Sequence, residues 1–376
     1  MKKFLKFLGK ALGFLVAFIV GIILGFALII GLEGGFEGGI SFWFEFVIAF
    51  IISFSICTIV HEGGHLVFGL ISGYGFSSFR IGSLMLLLQN GKLRVCSYSL
   101  AGTGGQCLMT PPEGKEGKKP VILYNLGGVI FNFVFALVCA LLFFLLPYVY
   151  ILSLTLLICG LVSVAFVFMN GIPMHVSGIA NDGMNALGLS KDEKAAEAFF
   201  NQLRMNEAQV RGVRLRDMPD EWFIIPDGVD KKNVNFASIA VFAVNRSFDN
   251  MDTERSEREI EELLHSEWGI IGLHRNLLLY DLVYCRLINR GSDADVSELF
   301  TPEMKNFTKA MKNYPSVIRT EYALALVHKR DEKEAEKIKK RFEKRMKKSP
   351  SPTETEFERT LMKMARDRYE NTKIEA

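Results

Sequence analysis

Two histidines and a glutamate lie within an apolar stretch of the chain, residues 58–73, which reads TIVHEGGHLVFGLISG. Residues four apart on a helix share one face, with Cβ atoms about 5–6 Å apart, so His61 and His65 can bind the same metal ion. Glu62 projects to one side of the pair, where its carboxylate can take a proton from a metal-bound water. The H-E-x-x-H spacing therefore predicts two zinc ligands and a general base on one helical turn.

The apolar surroundings favour this interpretation over a chance match. Each charged group inside a membrane costs about 2.5–3.5 kcal/mol on insertion scales, so a cluster of ionisable side chains needs a compensating partner, which a metal ion supplies. The alternative is that these side chains only hydrogen-bond to neighbouring helices. Gly63 and Gly64 fill the two middle positions and leave room for backbone or substrate to approach closely.

A catalytic zinc site needs a third protein ligand and an open fourth position. Residues 168–187, FMNGIPMHVSGIANDGMNAL, offer Asp182 and His175 in a segment where glycine and proline interrupt the helical pattern. We favour Asp182, because Gly183 gives it a turn-like setting and its carboxylate balances the charge of the metal. The other interpretation of Asp182 is an N-cap for a helix that begins near Met184.

Four apolar segments are long enough to hold these groups in a membrane, since about 20 helical residues cross the roughly 30 Å of hydrocarbon. The predicted spans cover residues 11–31, 41–73, 121–146 and 148–169. Lysine and arginine precede the first span and lie between the second and third, whereas the other two connections have none. This distribution predicts that both termini and the central loop are cytoplasmic. A cleaved signal peptide is the alternative to the first span.

The arrangement of charge predicts two domains. Lysine plus arginine, 44 residues, nearly balance 41 aspartates and glutamates, so the net charge identifies no partner, and we expect no nucleic acid. Charge of both signs becomes frequent only from about residue 191. We therefore predict a membrane-embedded domain over residues 1–190 and a helical cytoplasmic domain over residues 191–376. The six cysteines contain no CxxC pair, so we expect neither a disulfide framework nor a cysteine-based zinc site.

The predicted fold class is mainly α, with polytopic membrane helices, a small membrane-associated β-hairpin region and an all-α cytoplasmic domain. Residues 84–99, LMLLLQNGKLRVCSYS, contain the hairpin signal Asn90-Gly91. Residues 100–109, LAGTGGQCLM, can add a third strand. An edge strand of this region can pair with an extended substrate, and the alternative is a hairpin with no role in substrate binding. The mixed charges of residues 329–348 predict a solvated helix face.

Three ordered blocks of residues resemble the site-2 proteases, a family of intramembrane zinc metalloproteases. They are HEGGH, residues 61–65; GVIFN, residues 128–132; and NGIPMHVSGIANDG, residues 170–183. The resemblance covers about residues 43–189. It implies zinc ligands at His61, His65 and Asp182, a catalytic base at Glu62, and substrate binding at Asn132 with Gly128.

The second and third blocks depart from the family pattern. In the second, Val129 stands where a proline is common before the asparagine, and in the third, an insertion-like segment separates Asn170 and Pro173 from Asp182. These differences concern the shape of the substrate cleft rather than the ligand set.

The resemblance implies a multi-pass protein of a bacterial plasma membrane that uses Zn²⁺ to hydrolyse peptide bonds in or near transmembrane segments. Its partners would be the lipid bilayer and a membrane protein or peptide substrate. One alternative is a non-proteolytic metal-binding scaffold whose helical cytoplasmic domain binds protein partners. Another is a metal transporter, although the chain has no second copy of the motif. The sequence identifies neither the substrate nor the oligomeric state.

Overall fold

The computed structural model describes residues 39–89, 91–97, 104–113, 119–146, 150–176, 178–347, 349 and 351–375. The first predicted span, residues 11–31, lies outside these residues, and so does Asn90. The chain divides into two compact units, which are Met1–Ile81 with Gly104–Glu193, and Gly82–Thr103 with Lys194–Ala376.

Three long apolar helices form the framework of the first unit. They are α1 (Gly39–Ile71), α2 (Val121–Leu145) and α3 (Tyr150–Gly171). Each is long and apolar enough to cross a membrane, and less than a third of its apolar window is buried inside the protein. Within the described residues, the structure therefore contains three of the four predicted spans as candidate membrane helices.

The three helices pack against one another around a small apolar core. Its members are Phe46, Ala49, Cys57, Cys139, Leu154, Ile158, Cys159 and Val162. After α3 the chain makes a two-residue strand pair and then the short helix α4 (Asp182–Leu189), which packs against α2. This return of the chain brings the interrupted segment after the last span back to the middle helix.

Four strands follow α1 in the sequence. They are β1 (Gly75–Ile81), β2 (Leu84–Gln89), β3 (Lys92–Ser97) and β4 (Gly105–Thr110). In the first unit β1 pairs antiparallel with β4. In the second unit β2 pairs antiparallel with β3, and Gly91 in their turn has a φ of 74°, which favours glycine. The predicted hairpin and the third strand are both confirmed.

The second unit is mainly helical. The two-residue strands β5 (His175–Val176) and β6 (Ile179–Ala180) still belong to the first unit. The helices of the second unit are α5 (Glu193–Arg211), α6 (Val234–Asp249), α7 (Thr253–His265), α8 (Gly272–Arg290), α9 (Pro302–Ala310), α10 (Pro315–Ala323), α11 (Glu332–Met346) and α12 (Pro352–Glu375). Gln89 of the hairpin donates through Nε2 to the carbonyl oxygen of Val210 at 3.2 Å. Because the unit includes this hairpin, its prediction as an all-α domain is not confirmed.

A buried ion network lies in the core of the second unit. Arg319 on α10 is 0% exposed, and its Nη2 donates to Oδ1 of Asp281 on α8. Its Nε lies 3.2 Å from Oε2 of Glu358 on α12. The guanidinium carbon is 4.5 Å from the centre of the Tyr284 ring. One arginine thus links three helices through charge and ring contacts.

Candidate metal centre

Three ligand atoms from two separate parts of the first unit converge on one point. The Nε2 atoms of His61 and His65, one turn apart on α1, are 3.2 Å from each other. Oδ2 of Asp182, the first residue of α4, lies 3.1 Å from Nε2 of His61 and 3.4 Å from Nε2 of His65. Among the described residues, this is the group of histidine, cysteine and acidic side chains whose ligand atoms lie close enough to hold one ion.

The other ring nitrogen of each histidine is held by a buried acceptor on α2. Nδ1 of His65 lies 2.8 Å from the carbonyl oxygen of Tyr124, which can only accept, so this nitrogen carries the proton. Nδ1 of His61 lies 2.8 Å from Oδ1 of Asn132. The amide nitrogen of Asn132 donates to the carbonyl oxygen of Cys57 at 3.2 Å, which fixes Oδ1 as the atom facing the ring. In the neutral form of either imidazole, Nε2 is therefore the nitrogen without a hydrogen.

The donor set fits a divalent metal ion. Two lone pairs and a carboxylate oxygen face one another, and Oδ2 of Asp182 is buried with no hydrogen-bond partner. Such an arrangement is stabilised by a proton or a metal cation among the three atoms. Two imidazole nitrogens and one carboxylate, each neutral imidazole fixed by an outer hydrogen bond, form a ligand set typical of catalytic zinc.

The segment that carries Asp182 is held by its neighbour Asn181. This side chain accepts hydrogen bonds from the backbone N–H groups of Met174 and Met184 at 3.0 Å each, and it donates to the carbonyls of Met169 and Ile172 at 2.7 Å each. Asn181 is also the N-cap of α4, so the capping role considered for Asp182 belongs to the preceding residue. The carboxylate of Asp182 is therefore free to face the histidines.

His175, the competing candidate for the third ligand, lies away from the converging atoms. It belongs to the two-residue strand β5, where it pairs with Ala180, and its side chain is exposed. The described ligand group contains Asp182 and not His175.

Glycines allow the elements of the centre to approach one another. A Cβ on Gly128 would lie 2.6 Å from Cε1 of His61 and 2.7 Å from Nε2 of His65. A Cβ on Gly64 would lie 2.2 Å from the carbonyl oxygen of Gly127. Both distances are below the closest approach that real Cβ atoms show, so α1 and α2 approach each other this closely only because Gly64 on α1 and Gly128 on α2 have no side chains.

Glu62 lies beside the ligand group rather than within it. Its side chain is buried, and the residue is 9% exposed. The neighbouring thiol of Cys107 on β4 is buried as well, and burial together with the charge of Glu62 raises the pKa of Cys107 to about 12. That thiol remains protonated at neutral pH, so Cys107 is not a competing base beside Glu62.

Sequence reasoning identified every residue of the ligand group but missed the residues that hold it in place. The carbonyl of Tyr124 carries no signal in the sequence, because any residue can supply a backbone acceptor. Asn181 had a weak signal, since asparagine immediately before a helix is a common N-cap. Asn132 was singled out for substrate binding, whereas the structure places it against His61.

Comparison with known proteins gives one match. A family model described as Peptidase family M50 matches residues 49–358, which is most of the chain. No curated protein and no solved structure matches it. The matched region extends beyond residues 43–189, where the three blocks lie, and reaches helix α12 of the second unit.

Proposed function

Because the chain belongs to peptidase family M50, the site-2 protease family, we propose that it is an intramembrane zinc metalloendopeptidase that hydrolyses peptide bonds in or near the transmembrane segments of membrane proteins. The observation that carries the proposal is the convergence of two imidazole nitrogens and one carboxylate oxygen beside a buried glutamate. The candidate membrane helix α1, which bears both histidines, exposes large apolar side chains that suit a lipid environment.

His61, His65 and Asp182 would hold the zinc ion, with the fourth position open to water or substrate. A bound zinc ion would supply Lewis-acid activation of water and of the scissile carbonyl group. The acceptors on α2 hold both Nδ1 hydrogens, so each Nε2 is the nitrogen that would bind the metal.

Glu62 acts as the general base in this proposal. Its carboxylate takes a proton from the attacking water and then delivers that proton to the nitrogen of the leaving amine. The burial of Glu62 keeps bulk water away from this transfer and strengthens its electrostatic interactions with nearby groups.

Strand β4 is the proposed binding element for the substrate backbone. A helical peptide bond is enclosed by its own hydrogen bonds, so the substrate must be extended before cleavage. Among the described strands of the first unit, β4 pairs with β1, and its opposite edge can add an extended substrate by β-augmentation. Contact of Asn132 and Gly128 with the substrate stays a prediction, since both lie against the histidines in this conformation.

The test compares Glu62→Gln with the wild-type chain, purified at full length in detergent. The probe is a library of synthetic peptides with apolar segments of about 20 residues, and the products are read by mass spectrometry. We expect Glu62→Gln to retain zinc, measured by elemental analysis, and to lose at least about 100-fold in cleavage rate, because the proton acceptor is removed. Glu45→Gln is the matched control, since Glu45 also lies on α1 but outside the ligand group.

Two outcomes would contradict this function. Cleavage by Glu62→Gln at the wild-type rate would show that Glu62 is not the base. Stoichiometric zinc without cleavage by the wild-type chain, in the peptide library and against co-expressed membrane proteins, would favour the non-proteolytic scaffold.

A further inference from the structure

The backbone conformation of Gly105, the first residue of β4, does not require glycine. The described glycines with positive φ are Gly73, Gly82, Gly91, Gly178, Gly212, Gly228 and Gly291. Gly105 is not among them, so any L-residue could adopt its backbone conformation. The absence of a side chain at this position must therefore be required by its surroundings.

Those surroundings are the side chain of Glu62. A Cβ on Gly105 would lie 2.7 Å from both Cγ and Oε1 of Glu62, and 2.9 Å from the Cγ2 methyl of Thr58. Real Cβ atoms do not approach other heavy atoms this closely. The start of β4 thus lies directly against the carboxylate and the stem of the proposed base.

Strand β4 cannot easily move back to make room, because Gly105 is held from its other side. It pairs with Ile81 of β1, and its carbonyl oxygen accepts from Nη2 of Arg80 at 3.4 Å. Arg80 is 1% exposed, so this support is itself buried. A side chain added at Gly105 would therefore displace the Glu62 carboxylate rather than the strand.

We propose that Gly105 is a positioning residue that sets the location of the Glu62 carboxylate relative to the metal ligands. The proposal rests on the proposed function, in which Glu62 is the base. The three heavy atoms nearest to a Cβ on Gly105 belong to Glu62 and Thr58, and none belongs to His61, His65 or Asp182. Its effect should therefore appear in the rate of the chemical step and not in zinc binding.

The central test is Gly105→Ala, with Gly104→Ala as the matched control. Among the residues that the structure describes, a Cβ on Gly104 would meet only the Thr58 methyl, at an ordinary 4.0 Å. With the best-cleaved peptide of the library, we expect Gly105→Ala to lower kcat about 100-fold with KM changed less than about 2-fold, since a misplacement of about 1 Å costs this much. Gly104→Ala should retain wild-type kcat. The zinc content of both variants, and the visible absorption spectrum of their Co²⁺-substituted forms, should match the wild type.

A double variant tests whether Gly105 acts through Glu62. In the Glu62→Gln background, Gly105→Ala should change the residual rate by less than about 2-fold, because the group that it displaces is already inactive. A full 100-fold loss in that background would overturn the proposal, and so would a wild-type kcat for Gly105→Ala or a loss of zinc by this variant.

An infrared measurement separates failure of this proposal from failure of the proposed function. The carboxylate band of Glu62 is assigned from the difference between wild type and Glu62→Gln, and we expect it to shift in Gly105→Ala and not in Gly104→Ala. If the Glu62 band shifts in Gly105→Ala but the wild-type chain cleaves no peptide, the positioning role of Gly105 is supported and the proposed proteolysis is refuted. If the band does not shift, the positioning role is refuted whether or not the chain cleaves peptides. If Gly105→Ala does not fold, the double variant Thr58→Ala/Gly105→Ala replaces it. This variant lacks the Thr58 methyl that the new Cβ would meet but keeps the close approach to Glu62, so we expect the same shift of the Glu62 band.

Discussion

Each unit of the molecule contains a buried cluster of ionisable side chains, and the two clusters differ in the source of their positive charge. In the second unit, Asp281 and Glu358 both lie against the guanidinium of Arg319, so the chain supplies the cation. In the first unit, Oδ2 of Asp182 lies 3.1 Å and 3.4 Å from the Nε2 atoms of His61 and His65. Neither imidazole carries the permanent charge of an arginine.

The difference indicates what each cluster contributes. A buried carboxylate paired with an internal arginine is a closed structural network, which stabilises the fold only as long as both partners are present. A carboxylate that faces two lone pairs is stabilised by a cation from outside the chain. Burial also affects the network around Arg319 in the second unit. It raises the pKa of Glu358 to about 7, although the charge of Arg319 opposes this shift. One arginine shared by two carboxylates therefore leaves that cluster only partly compensated.

The largest expected effect follows from removing the only carboxylate among the metal ligands. We expect Asp182→Ala to lower the zinc content from about one ion per chain to nearly none, because two neutral imidazoles alone do not hold zinc in a three-ligand catalytic site. Elemental analysis of the purified full-length chain measures this directly. His175→Ala is the control, and it should keep its zinc. The opposite pattern, with zinc lost from His175→Ala and kept by Asp182→Ala, would mean that the third ligand has been misassigned.

The ligand pair on α1 was predictable because helix geometry alone places His61 and His65 on one face. Asp182 was harder to assign. Its approach depends on the return of the chain after α3, and this return is held by four hydrogen bonds from Asn181 to backbone groups as far away as Met169. Backbone contacts of this kind leave no residue pattern, so the sequence indicated an interrupted helix but not its direction.

The buried network of the second unit could not be predicted for a related reason. Arg319 and Asp281 are separated by 38 residues in the sequence. The sequence predicted a helical domain over residues 191–376, because helical periodicity is a local property. Which charge of an amphipathic helix turns inward depends on packing between helices that are distant in the sequence.

The second prediction removes the internal cation of that network. We expect Arg319→Met to destabilise the second unit by about 3–5 kcal/mol, because two carboxylates would remain buried without their partner. Hydrogen exchange of the full-length chain, read by mass spectrometry, should show faster exchange in α8, α10 and α12 at unchanged zinc content.

Arg359→Met is the control for this prediction. Arg359 pairs with Glu343 at the surface, where its side chain is 51% exposed, and exposed pairs contribute about 1 kcal/mol or less. Equal exchange in the two variants would show that the buried network contributes no more than a surface ion pair.

The smallest predicted effect concerns the outer support of the metal centre, for which α2 offers a matched pair of asparagines. Asn125 and Asn132 are both buried and lie seven residues apart, about two turns, on the same face of the helix. Asn125 donates to the carbonyl of Val121 in its own helix, whereas Asn132 accepts from His61. The two substitutions to alanine therefore remove similar volume but only one of them releases a ligand.

We expect Asn132→Ala to weaken zinc binding by about 10–100-fold, because His61 loses the hydrogen bond that fixes its orientation and tautomer. Competition with a chelator of known affinity measures the change, and Asn125→Ala should shift it by less than about 2-fold. Asn132→Asp, which keeps an acceptor at His61, should bind zinc more tightly than Asn132→Ala. Equal weakening by Asn125→Ala and Asn132→Ala would mean that α2 supports the centre through packing alone. The hydrogen bond from His61 to Asn132 would then contribute nothing specific to holding the cation. Of the features that distinguish this centre from the Arg319 network, only the carboxylate of Asp182 would remain as a stabiliser of an external cation.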